Sequence, residues 1–184
     1  MNTMIFLLWM LPVLFMIHEF EEIIMIEVWH DRFKEKINRL WPQRKPFGLD
    51  HVAPYLTPTI NIGIFIQFIP LLLICFLCAI IDNYYLWYGY IIGFIVMGTS
   101  LHVRDFIRFK GYTPGIITTV LIFFPLIWIL YQANTILHYN ALEIILSTIG
   151  VGAVMSFFGV RFLHKLSITW AKLLSGYATP QSGE

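Results

Sequence analysis

Residues His18-Glu19-Phe20-Glu21-Glu22 lie inside the run from Ile5 to Ile26, which is otherwise apolar. A charged side chain near a bilayer centre costs roughly 2.5 kcal/mol or more, so such groups face a protein interior, find partners and mark working sites. Three carboxylates and an imidazole in one apolar run therefore point to a membrane helix with one face buried against other helices.

The rest of the chain agrees with that reading. Of its 184 residues, 58% are hydrophobic and 12% charged, and the mean hydropathy is +0.73. A spanning helix takes about 20 largely apolar residues. Spans are expected at 4–28, 58–81, 85–105, 114–133 and 142–164, giving an all-α bundle of five transmembrane helices in one domain, 1–178. The polar tail 179–184 is expected to be disordered. The first segment lacks a basic leader and a small-residue cleavage site, so it is expected to stay as a permanent helix.

Orientation follows from charge. The twelve Lys and Arg residues fall within 29–57, at Arg104, Arg108 and Lys110, and at Arg161, Lys165 and Lys172. In a five-span chain these all lie on one side, which predicts the N-terminus out and the C-terminus in. The expected setting is the cell membrane, as a multi-pass protein among membrane lipids. Within the connection 29–57, Phe33, Ile37, Leu40 and Trp41 recur at helical spacing between charges, a pattern suited to the membrane interface. Basic residues with aromatics fit anionic headgroups there; without a base-reading motif, a nucleic-acid partner is not expected. The oligomeric state stays open, a homo-oligomer included.

With this topology, polar groups from all five spans gather at one level. His18 lies about 20 Å from the outer end of the first span. His102 and Asp105 lie at the inner end of the third span and His164 at that of the fifth; Asn61 and Thr118 sit one turn into the second and fourth. At about 100° per residue, His18 and Glu22 share a face and Glu21 flanks it. Imidazole and carboxylate at this spacing is how helical bundles build metal sites. The candidate ligands are His18, Glu21, Glu22, His102 and His164, a hard N/O set suited to Zn, Fe or Mn. Glu19 or Glu21 is the candidate proton acceptor, and Asp105 either orients His102 or pairs with Arg108. Asn61, Arg104, Gly115 and Thr118 are candidate substrate or anion contacts; Pro114 is expected at the start of the fourth helix, whose free N–H groups suit an anion.

Two other readings stand beside this one. The acidic residues can instead form a structural ion-pair network with Arg104 or Arg161. His18-Glu19-x-x-Glu22 is one residue from the HExxH zinc-protease pattern, with Glu in place of the last His. Cys75-Phe76-Leu77-Cys78 sits among apolar neighbours and reads as packing.

His18, Glu21 and Glu22 match the fixed positions of the HXXEE-motif family of membrane proteins, which the chain resembles. The resemblance extends to His102 and to Tyr112-Thr113-Pro114-Gly115-Ile116-Ile117-Thr118, similar to that family's Y-x-P-G-x-x-T element. It implies little about activity, because the family is one of unknown function. The residues themselves favour a metal-dependent hydrolase or oxidoreductase acting on a lipid or other apolar substrate. The alternatives are a carrier of protons or metal ions and a structural protein with a buried charge cluster.

Overall fold

A computed structural model describes residues 3–43, 45–49 and 56–154, together with 166, 169–170, 172–174 and 176–177. Its helices are α1 (Thr3–Leu40), α2 (Leu56–Ile81), α3 (Tyr85–Phe109), α4 (Ile116–Leu137) and α5 (Ala141–Val154). The described residues contain no strand. In hydrocarbon every backbone polar group must be satisfied within its own segment, so these apolar runs become helices. The first four are long and apolar enough to cross a membrane, and α5 adds a shorter apolar helix. The architecture is a helical membrane bundle.

The innermost helix is α1, 50% of whose most apolar window is buried, against 22% for α2. Leu7, Leu8, Leu11 and Phe15 of α1 are at most 1% exposed. They share a core with Leu71 and Cys75 of α2, Trp87 and Ile91 of α3, and Leu126 and Ile129 of α4. The opposite surfaces expose Phe65, Leu73, Phe76, Val120, Leu121 and Phe124, the side chains that lipid tails would cover. Contact between α3 and α5 depends on Gly89, because a Cβ there would strike the Ser147 carbonyl. Small residues allow such close helix approach, and Ser147 Oγ donates to the Tyr85 carbonyl at 2.6 Å. Cys75 and Cys78 are buried and unbridged.

With 38 residues, α1 is about 57 Å long, nearly twice the thickness of a hydrocarbon core. Residues 29–40, expected within the first connection, continue this helix past a local break at Phe33 (φ −119°, ψ 18°). A second hydrophobic core of Ile26, Trp29, Ile37, Trp41, Leu49 and Phe109 holds the extension against the end of α3. Lys36 Nζ lies 3.8 Å from the Phe109 ring centroid, a cation–π contact, and Trp29 Nε1 donates to the Tyr112 carbonyl at 2.9 Å. Helix α4 begins at Ile116, two residues later than expected, because Gly115 takes a left-handed φ of 82° as its N-cap. Arg161, His164 and the second half of the expected fifth span fall outside the described residues, as does the tail.

Candidate metal centre

The helical wheel of α1 distributes the acidic motif among its neighbours. Relative to His18, Glu22 stands about 40° to one side and Glu19 about 100°, while Glu21 stands about 60° to the other. Helix α3 meets the His18 and Glu22 face. His102 Nε2 lies 3.1 Å from His18 Nε2 and 3.1 Å from Glu22 Oε1, and His18 Nε2 lies 3.8 Å from the same oxygen. These three residues form a group that could hold a metal ion. His18 is 4% and His102 9% exposed, so the triangle sits away from the surface.

On the other side of His18, Glu21 meets the start of α4. Its Oε2 accepts from Thr118 N at 2.7 Å and from Thr118 Oγ1 at 2.6 Å. Its Oε1 accepts from the Tyr112 hydroxyl at 2.9 Å and from Ile117 N at 3.4 Å. Glu21 thus caps α4 across the bundle, satisfying N–H groups that a helix start leaves free and placing a carboxylate at its positive end. The anion expected at Gly115 and Thr118 is the chain's own Glu21, directed away from the triangle. Burial and the bond to Glu21 raise the pKa of the Tyr112 hydroxyl, which keeps it a donor.

The cap also orients the triangle. Thr118 Oγ1 donates its single hydrogen to Glu21, so at its 3.0 Å contact with His18 Nδ1 it accepts. His18 then carries its proton on Nδ1 and presents the Nε2 lone pair to His102. The Nδ1 and Cε1 atoms of His102 face Gly115 at the turn before α4. His18 Nε2, His102 Nε2 and Glu22 Oε1 thus converge on one point. Where both imidazoles present their Nε2 lone pairs, three donor atoms at these distances repel unless a cation, a proton or a metal ion, lies between them. Outer partners of this kind fix the tautomer of metal-binding histidines.

Gly115 packs the turn onto this arrangement. A Cβ built there would lie 2.5 Å from His102 Cε1 and 2.9 Å from Glu22 Oε1. Its left-handed φ and this lack of space both require glycine. The two sequence elements H-x-x-E-E and Y-x-P-G-x-x-T are thus one structural unit.

The remaining expected site residues lie elsewhere. Asp105 Oδ1 accepts from Arg104 Nη2 at 2.8 Å and Nε at 2.9 Å, and among the described residues it forms no hydrogen bond to His102. Arg108 instead donates to the Leu40 carbonyl. Among the described residues no lysine or arginine pairs with Glu19, Glu21 or Glu22, so the expected ion-pair network with Arg104 is not formed. Among the described residues the buried Oδ1 of Asn61 has no hydrogen-bond partner, and Asn61 does not line the cavity. Glu19 is 7% exposed and opens onto a cavity of about 390 Å³ beside the triangle.

That cavity was not legible in the sequence. It runs between α1, α2, α3 and α5 from His102 to Gly89, with Phe47 at the triangle end. Along α3 these limits are about 20 Å apart. Gly63, Gly89, Gly93 and Gly98 border it; the four-residue spacing of Gly89 and Gly93 was the available signal. Apart from the site residues, Gln67 and Tyr90, its lining is apolar, and its volume is that of a small-molecule pocket.

The chain belongs to the family described as protein of unknown function with HXXEE motif, whose model matches residues 9–130. The match includes the triangle and the whole α4 cap. No curated protein and no solved structure matches the chain.

Proposed function

We propose that this protein is a metal-dependent membrane enzyme, with His18, His102 and Glu22 holding a divalent ion at one end of an apolar cavity. The observation that carries the reading is the triangle of donor atoms from His18, His102 and Glu22, whose edges of 3.1, 3.1 and 3.8 Å average about 3.3 Å. Two ligands each 2.0–2.1 Å from a tetrahedral ion lie about 3.3 Å apart. Two histidines and one carboxylate form a donor set used for zinc hydrolysis and also for non-haem iron chemistry. Zn, Fe and Mn are accordingly the candidate ions.

Such an ion would supply Lewis acidity at the cavity wall. Around it, Thr118 holds His18 and Glu21 holds Thr118, while His102 packs against Gly115. Glu19, buried on the cavity wall and without a hydrogen bond among the described residues, is the candidate proton acceptor. The substrate class is a lipid or other apolar molecule, since mostly apolar side chains and glycines surround it. The chain would lie in the cell membrane with the basic end of the bundle, and the triangle near it, on the cytoplasmic side.

A carrier of protons or metal ions is the second reading. The 3.1 Å contacts between His18, His102 and Glu22 are also hydrogen-bonding distances that a bridging proton would satisfy. Metal analysis by mass spectrometry of the detergent-purified protein separates the two. Near-stoichiometric metal, lost in His102→Ala and Glu22→Gln, supports the enzyme. A metal-free protein that takes up none on dialysis rejects it.

A further inference from the structure

The connection that follows α1 is pinned at two points. Trp41 and Leu49, each 4% exposed, sit in the second hydrophobic core, and Trp41 stacks on Phe109 with ring centroids 6.3 Å apart. Between these anchors Pro46 is buried and Phe47 half-buried. Among the described residues that line the cavity, Phe47 alone comes from outside α1, α2, α3 and α5. Its ring lies 6.1 Å from that of Trp29, at 78°, and 6.2 Å from that of His102, so it stands between the second core and one corner of the triangle. To place it there the backbone takes φ 57° and ψ 17°, the left-handed region that disfavours a bulky side chain.

Strain of this kind persists only where surrounding contacts over-determine it, and it collects at ligand clamps and switches. Here those contacts are the packing of one ring on Trp29 and His102. Withdrawing the ring loses them but returns the backbone to an ordinary φ, so the released strain offsets part of the loss and brings an open position within reach. The exposed Arg32, Lys34 and Arg39 of the α1 extension mark this end of the bundle as the one that meets water. We propose that Phe47 is a gate between that water and the triangle. Closed, its ring keeps water and ions from His102; open, it lets a metal ion reach or leave the site. The gate deepens the reading of the triangle as a metal centre, because a buried site needs an entry path, but access past Phe47 is measurable without a metal.

A gate changes rates and leaves equilibria alone, whereas a residue that positions ligands changes affinity. The full chain in detergent is loaded with zinc and mixed with excess EDTA, comparing wild type with Phe47→Ala, with Phe47→Leu, and with Phe47→Gly, which suits the left-handed backbone. The alanine and glycine variants should release zinc about tenfold faster or more at unchanged zinc affinity, and the leucine variant should stay close to wild type. The second readout uses Ile64→Cys, a cavity-lining position 5% exposed, treated with a charged methanethiosulfonate. The parent chain is the blank, since Cys75 and Cys78 are buried. Labelling should quicken by a similar factor when Phe47→Ala or Phe47→Gly is added. Wild-type rates in either readout, or zinc affinity that falls as release quickens, overturn the gate. In a chain that binds no zinc, labelling alone decides: faster labelling keeps the gate and the missing zinc removes only the metal centre, while unchanged labelling overturns the gate as well.

Discussion

Gly115→Ala tests whether the turn before α4 sets the triangle. Alanine must hold the φ of 82° found there, at a cost of about 1–2 kcal/mol. Its methyl would also begin 2.5 Å from His102 Cε1, where ordinary contact starts at 3.4 Å. His102 must retreat by roughly 0.9 Å, whereas metal–ligand distances tolerate about 0.2 Å. The expected outcome is a folded protein whose apparent melting midpoint in detergent falls and whose zinc affinity, from chelator competition, drops about 10-fold or more. Gly150→Ala is the control, because a Cβ there meets nothing within 4 Å; it should leave zinc affinity unchanged and stabilise α5 by up to about 1 kcal/mol. If Gly115→Ala matches wild type in both midpoint and zinc affinity, the packing of Gly115 on His102 does not position the ligands.

Three further outcomes follow from the cap. Glu21→Gln, whose amide cannot accept from all four donors, should lower stability by about 2 kcal/mol yet keep metal within about tenfold of wild type. Thr118→Val removes the acceptor of His18 Nδ1 and should weaken metal binding about 10- to 100-fold, with Thr118→Ser restoring it; equal affinities in valine and serine variants would contradict the tautomer assignment. Tyr112→Phe removes one bond to a carboxylate and should cost roughly 1.5 kcal/mol in denaturation assays with no loss of metal.

The sequence made some of this visible and hid the rest for definite reasons. The spans were legible because lipid demands long apolar helices. The pairing of His18 with Glu22 was legible because residues four apart share a helix face, and His102 because its depth matched. The role of Glu21 was not, since a wheel places it about 60° from His18 without saying which helix stands there. Only the position of α4 turns that carboxylate from a candidate ligand into a helix cap. Asp105 misled for the same reason: its depth matched His102, but its carboxylate pairs with Arg104. The extension of α1 was visible as helical spacing in 29–41, though not its packing on Phe109, which needs the end of α3 beside it. The cavity depends on where glycines of different helices meet, which one-dimensional spacing cannot show.

The most direct test of the central claim is the metal content of purified protein, compared across wild type, His18→Ala, His102→Ala, Glu22→Gln and Glu21→Gln. The triangle predicts near-stoichiometric zinc, iron or manganese in wild type and Glu21→Gln, and its loss in the other three. Wild type that holds no metal after dialysis against each ion, or metal that survives in all three ligand variants, would contradict it.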